Sequence, residues 1–398
     1  MLQFIGGAED SYYLVTELFK LKGHLDVAAL RSAVKLLIER HDMTRARFSQ
    51  DASEYLVVPY SPADAEGMFS EVGLLESSDA AVTLATERLR KPLRLADEPP
   101  LRMLLARTGD EEWLFAAAGH HLVFDGWSFK LVWDELAEAY GAFSGGRTPD
   151  LRSAPQYWAP PAAARRHREV PDWQAELRRT YREIRSLHAR AASPLGPAGH
   201  ASLLADDDLD ERLAVRARER RTTPYAIGAA AMLRALSAAL GDTQVILGTA
   251  FAGRLTGAAV KTLGYYSTSI FVGTDLNVHA TDDQLLAHIG GIIAQWQSSP
   301  RAQWEPLLAQ HDAHDLYPVK FSFQPVAMIQ PDMRLDRMTV ERITAAPGTR
   351  ARRPLDLQAS YGDGSIRVSA TYRTDAMTHD MANEIAHCFL QQLRSLCK

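Results

Sequence analysis

Cysteine is almost missing: Cys388 and Cys397 are the only two in 398 residues. Two thiols on one late helix cannot staple a chain of this length, so a disulfide framework is excluded and reduced thiols in a cytoplasmic protein are expected. No apolar run approaches the ~20 residues of a bilayer-spanning helix. Residues 1–10 lack the basic start and apolar middle of a secretion signal, so no membrane association is expected. Positive charge is not in excess either. With 44 Lys and Arg against 49 Asp and Glu, the formal charge is −5, which argues against bulk binding of nucleic acid. There is no G-x-S-x-G elbow and no phosphate-binding glycine loop. Tyr361-Gly362-Asp363-Gly364-Ser365 lacks the spacing for one and reads as a turn. Short repeats, heptad arrays and low-complexity tracts are also absent.

What is present is an ordinary globular balance, 46% apolar and 23% charged, in a length that suits two domains of about 200 residues. Val27, Leu30, Val34, Leu37 and Ile38 share a face, which predicts a helix over 27–41 capped by Asp26. Two short apolar runs, 101–107 and 113–119, flank Thr108-Gly109-Asp110 and predict a hairpin. The second run leads into Gly119-His120-His121-Leu122-Val123-Phe124-Asp125-Gly126-Trp127-Ser128, with Ser128 read as the cap of a helix carrying Phe129, Val132, Leu136 and Tyr140. Residues 153–170, rich in Pro, Ala and Arg, read as a crossover between two lobes, 1–160 and 161–398. Beyond it, helices are predicted near 173–192, from Thr223-Pro224 to Gly241, and over 378–396. Strands are predicted at 244–249, 269–272, 318–323 and 365–372. Alternating helix and strand in both halves indicates two α/β lobes.

Adjacent histidines at a strand-to-helix turn, followed closely by Asp-Gly, concentrate proton-handling chemistry. Histidine titrates near neutral pH, and a histidine within hydrogen-bond reach of an attacking amine or hydroxyl can act as general base or orient it. Asp125 can fix the turn through backbone N–H groups or a buried arginine, and Gly126 permits close backbone approach or positive φ. Taken alone, a His-His pair is as compatible with satisfied core or surface histidines, and Asp-Gly before a helix is common turn chemistry.

The longer pattern is more specific. Gly119 to Ser128 resembles the HHxxxDGxS signature of nonribosomal peptide synthetase condensation domains, members of the chloramphenicol-acetyltransferase-like superfamily. Arg40-His41-Asp42-Met43-Thr44-Arg45-Ala46-Arg47-Phe48 resembles that family's RHExLRTxF segment, with Thr44 in place of leucine, and Leu21 to Asp26 resembles the strand-to-helix step before it. Gly248 to Arg254 is similar to the strand that ends in Gly-Arg. Leu263-Gly264-Tyr265-Tyr266-Ser267-Thr268 is similar to G-x-F-V-N-T, with Ser267 replacing asparagine. Gln303 to Leu307 and Leu355-Asp356-Leu357 resemble the Q-D-x-P-F and F-D-L segments, so the resemblance runs along the whole chain. Of the family's opening element only Met1-Leu2 matches the tail, and its later aromatic-acidic element is reduced to Gln156-Tyr157-Trp158.

The resemblance implies two acetyltransferase-like lobes in a V-shaped pseudo-dimer with a central tunnel. It implies a donor acyl thioester on the phosphopantetheine arm of an acyl or peptidyl carrier protein, a small-molecule or carrier-bound amine or alcohol acceptor, and no covalent acyl-enzyme. It makes His121 the base or orienter and gives His120, Asp125, Gly126 and Arg254 supporting roles, Asp125 pairing with Arg254 across the lobes. Trp127, Ser128, Tyr265, Ser267 and Thr268 are expected along the tunnel. A free-standing monomer with no bound cofactor or metal is expected. The same fold also admits a coenzyme A-dependent acyltransferase, a non-catalytic recruitment module and an epimerase. His311, Asp312, His314 and Asp315 cluster, but without further ligands they read as a solvated loop. The basic runs 165–168 and 212–221 read as solvated faces, with docking of an acidic carrier protein or its phosphate as the functional alternative.

Overall fold

The computed structural model describes residues 13–49, 55–62, 67–157, 195–205, 207–298, 319–329, 333–343 and 348–398. The helix predicted near 173–192, most of the crossover, the 165–168 run, the 303–307 segment and the His311 cluster lie outside these residues.

In chain order, the first half forms β1 (Leu14–Lys22), α1 (Val27–Arg40), β2 (Ala46–Phe48), β3 (Tyr55–Val57), β4 (Phe69–Leu74), α2 (Ser78–Leu89), β5 (Leu101–Arg107), β6 (Glu112–His120) and α3 (Gly126–Ser144). Next come β7 (Gly196–Ala205), α4 (Leu209–Glu219), α5 (Pro224–Leu240), β8 (Gln244–Phe251), the single turn α6 (Gly257–Val260), β9 (Thr268–Asp275) and α7 (Asp282–Ser298). The chain ends with β10 (Val319–Pro325), α8 (Val326–Ile329), β11 (Thr339–Ile343), β12 (Arg350–Ala351), β13 (Leu355–Tyr361), β14 (Ile366–Arg373) and α9 (His379–Leu396).

Packing divides the chain into two compact units. The first holds Met1–Pro161, Arg254–Tyr266 and Gln330–Ala346; the second holds Ala162–Gly253, Ser267–Ile329 and Pro347–Lys398. A single cut at residue 160 is therefore not what the chain does, because two stretches of the second half pack into the first unit.

The first unit is built on a five-stranded sheet in the order β11-β1-β6-β5-β4. Strand alternation explains why both faces are covered. Leu101, Met103, Leu105, Phe115 and Ala117 point to the face packed by Leu30, Val34 and Leu37 of α1 and Phe129, Val132 and Trp133 of α3. Leu104, Ala106, Leu114, Ala116 and Ala118 point the other way, onto Ala81, Ala85 and Leu89 of α2. Asp26 caps α1 by accepting the Ala29 N–H, as predicted. The predicted hairpin is β5–β6, paired from Leu101↔Gly119 to Arg107↔Trp113. β11 adds to the β1 edge, where Arg342 forms an ion pair with Glu17 and lies 4.8 Å from the Phe19 ring centroid.

The second unit carries a seven-stranded sheet, β12-β7-β14-β13-β10-β8-β9. One face is covered by α5, α7 and α9, whose Leu233, Leu236, Ile289, Ile385 and Phe389 meet Phe321, Leu357 and Val368. α5 shows both expected punctuations, Thr223 and Pro224 at its start and Gly241 in the left-handed region (φ 69°) at its end. The 361–365 turn closes the β13–β14 hairpin, and its Gly362 and Gly364 N–H groups donate to the Asp210 carboxylate. In the 212–221 run, Arg212, Arg216 and Arg220 pair with Asp208, Glu219 and Asp283, which fits the solvated-face reading. Burial pushes the Cys397 thiol up to about 11 and raises Cys388 as well, so both are poor nucleophiles.

Candidate active site

β6 delivers the histidine pair. His120 is its last residue and His121 starts the turn that ends where α3 begins. The turn is fixed by its own backbone: the His120 carbonyl accepts from the Val123 and Phe124 N–H groups, and the His121 N–H donates to the Tyr13 carbonyl. Close packing needs glycine before the pair. A Cβ on Gly119 would lie 2.8 Å from the Phe124 ring.

The two imidazoles carry their protons on opposite nitrogens. His121 Nδ1 is 2.8 Å from the Phe124 carbonyl oxygen, which can only accept, so Nδ1 bears the hydrogen and the neutral ring has its lone pair on Nε2. His120 Nδ1 accepts the Leu122 N–H at 3.1 Å, which places the hydrogen of the neutral ring on Nε2. His120 is buried, whereas His121 is half-buried. Burial, reinforced by the neighbouring His121, pushes the His120 pKa down to about 4, so His120 is neutral at cellular pH.

Asp125 sits at 1% exposure and organises the rest. Its Oδ1 accepts from the Ser128 N–H at 2.9 Å, the Ser128 hydroxyl at 2.7 Å and the Arg254 guanidinium at 2.8 Å. Its Oδ2 accepts the Tyr266 N–H at 3.2 Å. The guanidinium also donates to the carbonyls of Ala259, Thr262 and Gly264, and lies 4.6 Å from the Tyr266 ring centroid. Gly253, with φ 65°, turns the chain into this segment in a conformation that an L side chain rarely takes.

Four expectations are corrected here. The Asp125–Arg254 pair does not bridge two units: residues 254–266 pack with the first unit, held by these hydrogen bonds. The cap of α3 is Asp125, not Ser128, which sits three residues further in. Ser128 is fully buried, with its hydroxyl committed to Asp125, Arg254 and Gly264, so it has no surface to offer a ligand. Gly126 does not use positive φ; it is the first residue of α3.

Of the other expected residues, Trp127 is half-buried and donates its indole N–H to the Val260 carbonyl at 2.8 Å. Tyr265 stands against His121, with ring centroids 5.4 Å apart and planes at 89°. Ser267 and Thr268 belong to the second unit, at the start of β9. The Arg-His segment also has a defined place. His41 Nε2 and Arg40 Nε lie 2.9 and 3.0 Å from Glu135 of α3. Burial favours the neutral Glu135 acid, but the bonds from His41 and Arg40 outweigh it and lower the pKa. Arg45 turns back onto the Ile38 and Glu39 carbonyls at the end of α1. Sequence reasoning missed two contributors: the Phe124 carbonyl, which has no side-chain signature, and Tyr157, which was visible only as part of a shortened family element. Among the described residues, no group of three or more His, Cys, Asp or Glu is arranged to hold a metal ion, and no helix is long and apolar enough to cross a membrane.

A mixed α/β fold with this histidine loop is that of a chloramphenicol-acetyltransferase-like condensation domain. The condensation-domain family model matches residues 6–398, and the chain belongs to that family. It is 23% identical over 411 residues to a linear gramicidin synthase of Brevibacillus parabrevis, covering 98% of this chain but only 5% of the synthase polypeptide. Among solved structures, the X-domain from teicoplanin biosynthesis matches with a TM-score of 0.75 at 18% identity, covering 100% of this chain and 92% of that one. VibH, an NRPS condensation enzyme, matches with a TM-score of 0.73 at 18% identity, covering 99% and 94%.

Proposed function

We propose that this protein is an acyltransferase that condenses a carrier-bound acyl thioester with an amine or alcohol acceptor, forming an amide or ester. The observation that carries this reading is the tautomer of His121. Its Nδ1–H is held by the Phe124 carbonyl, so Nε2 carries the lone pair needed to take or orient the acceptor proton. The acceptor nitrogen or oxygen attacks the thioester carbonyl as Nε2 takes its proton. The tetrahedral adduct then expels the thiolate, which regains a proton and leaves as the free thiol of the phosphopantetheine arm. The arm is a substrate brought by an acyl or peptidyl carrier protein, not a resident cofactor. The acceptor is a small molecule or a second carrier-bound group, and the enzyme works in the cytoplasm as a monomer. An intact His121 supports catalysis over a purely recruiting role.

The test supplies one acyl group on a carrier protein and on coenzyme A, with the acceptor, and follows the product by intact mass. Transfer from the carrier at the higher kcat/KM is expected. Preference for coenzyme A would move the protein to the coenzyme A-dependent class. Solvent deuterium taken up at the α-carbon of an aminoacyl carrier, without condensation, would identify epimerisation instead.

A further inference from the structure

The His121 ring is held from two sides, by the Phe124 carbonyl at Nδ1 and by the Tyr265 ring edge-to-face. Tyr265 lies in irregular chain, so its ring is only as well placed as its backbone. Backbone groups of three neighbouring residues fix that stretch. The Gly264 carbonyl accepts from Arg254 and the Tyr266 N–H donates to Asp125. Between them, the Tyr265 carbonyl accepts the Tyr157 hydroxyl at 2.9 Å. The anchors on Gly264 and Tyr266 thus belong to the network of Asp125, Ser128 and Arg254. The carbonyl of Tyr265, the residue that touches His121, is held by Tyr157.

Tyr157 is itself firmly seated. It is 7% exposed, its carbonyl accepts the Tyr55 hydroxyl at 3.1 Å, and its ring lies 5.0 Å from that of Tyr266. It also fills the space above Gly264, where a Cβ would come within 2.2 Å of the Tyr157 ring. We propose that Tyr157 is a positioning residue for His121: its hydroxyl sets the Tyr265 backbone, and the Tyr265 ring sets the imidazole. The kinetic consequence rests on the condensation reading of His121; the structural consequence does not.

Tyr157→Phe in the full chain removes the hydroxyl and keeps the ring. The ring-current displacement of the His121 C–H signals by Tyr265 is read by NMR, with His121→Gln assigning the signals. In Tyr157→Phe these signals should move toward their positions in Tyr265→Leu. kcat should fall roughly tenfold, less than the ~100-fold cost of a 1 Å misplacement, with the acceptor KM within about twofold. Unmoved His121 signals, or a change confined to KM, overturn the proposal. If Tyr157→Phe does not fold, 4-fluorophenylalanine at position 157 carries the test, because it fills the place of the hydroxyl without its hydrogen and must displace the same signals. Displaced signals in a protein that condenses no donor uphold the positioning and sink the condensation reading. Unmoved signals in an active enzyme do the reverse.

Discussion

At the scale of single residues, two neighbouring histidines have opposite environments. His121 is half-buried and keeps a lone pair on Nε2; His120 is buried and takes a backbone N–H on Nδ1. This predicts a pH effect on stability. A folded-state pKa near 4 lies below the ordinary value of about 6.5, so the unfolded chain binds more protons between those values. His120 therefore contributes stability that is fully present above about pH 6.5 and is lost as the pH falls through about 4. The amount is on the order of 3 kcal/mol at one pKa unit per 1.36 kcal/mol. His120→Asn should flatten the decline in denaturant midpoint between pH 7 and pH 5 relative to the wild type. Parallel declines in the two proteins would contradict the assignment.

At the scale of elements, the Asp125–Arg254 pair ties the start of α3 to the 254–266 segment. Removing either partner leaves the other charge buried, a change that typically costs about 3–5 kcal/mol. Arg254→Met and Asp125→Ala should each destabilise by that order. Their double variant should fall short of the sum by roughly 0.5–3 kcal/mol, the range for residues in one network. Additive losses in denaturant unfolding would show that the two act separately. The regular elements of this region were legible in the sequence because caps and periodicity are local: Asp26 before α1, the turn between β5 and β6, and Thr223-Pro224 to Gly241 around α5. The cap of α3 was misassigned to Ser128 because aspartate and serine both suit that position, and only the bond from the Ser128 N–H to the Asp125 carboxylate shows which of them the helix uses. Tyr157 contacts Gly264 and Tyr265 more than 100 positions away in sequence, and no local pattern encodes that.

At the scale of the whole molecule, the chain is not two consecutive domains. Leu263, Met333 and Leu335 of the second half complete the core of the first unit, and β11 covers the edge of β1. Alternating helix and strand gave the class, but the return of 254–266 and 330–346 depends on long-range packing that composition breaks do not mark. A fragment of residues 1–161 should therefore lack cooperative unfolding by circular dichroism, and a sharp, reversible transition would contradict this account. Single-turnover transfer from a loaded carrier protein tests the role of His121 most directly. With His121→Ala the rate should drop roughly 10²–10⁴-fold, as for loss of a general base, while acceptor affinity changes little. A near-normal rate would contradict that role and leave the imidazole a purely structural part of the loop.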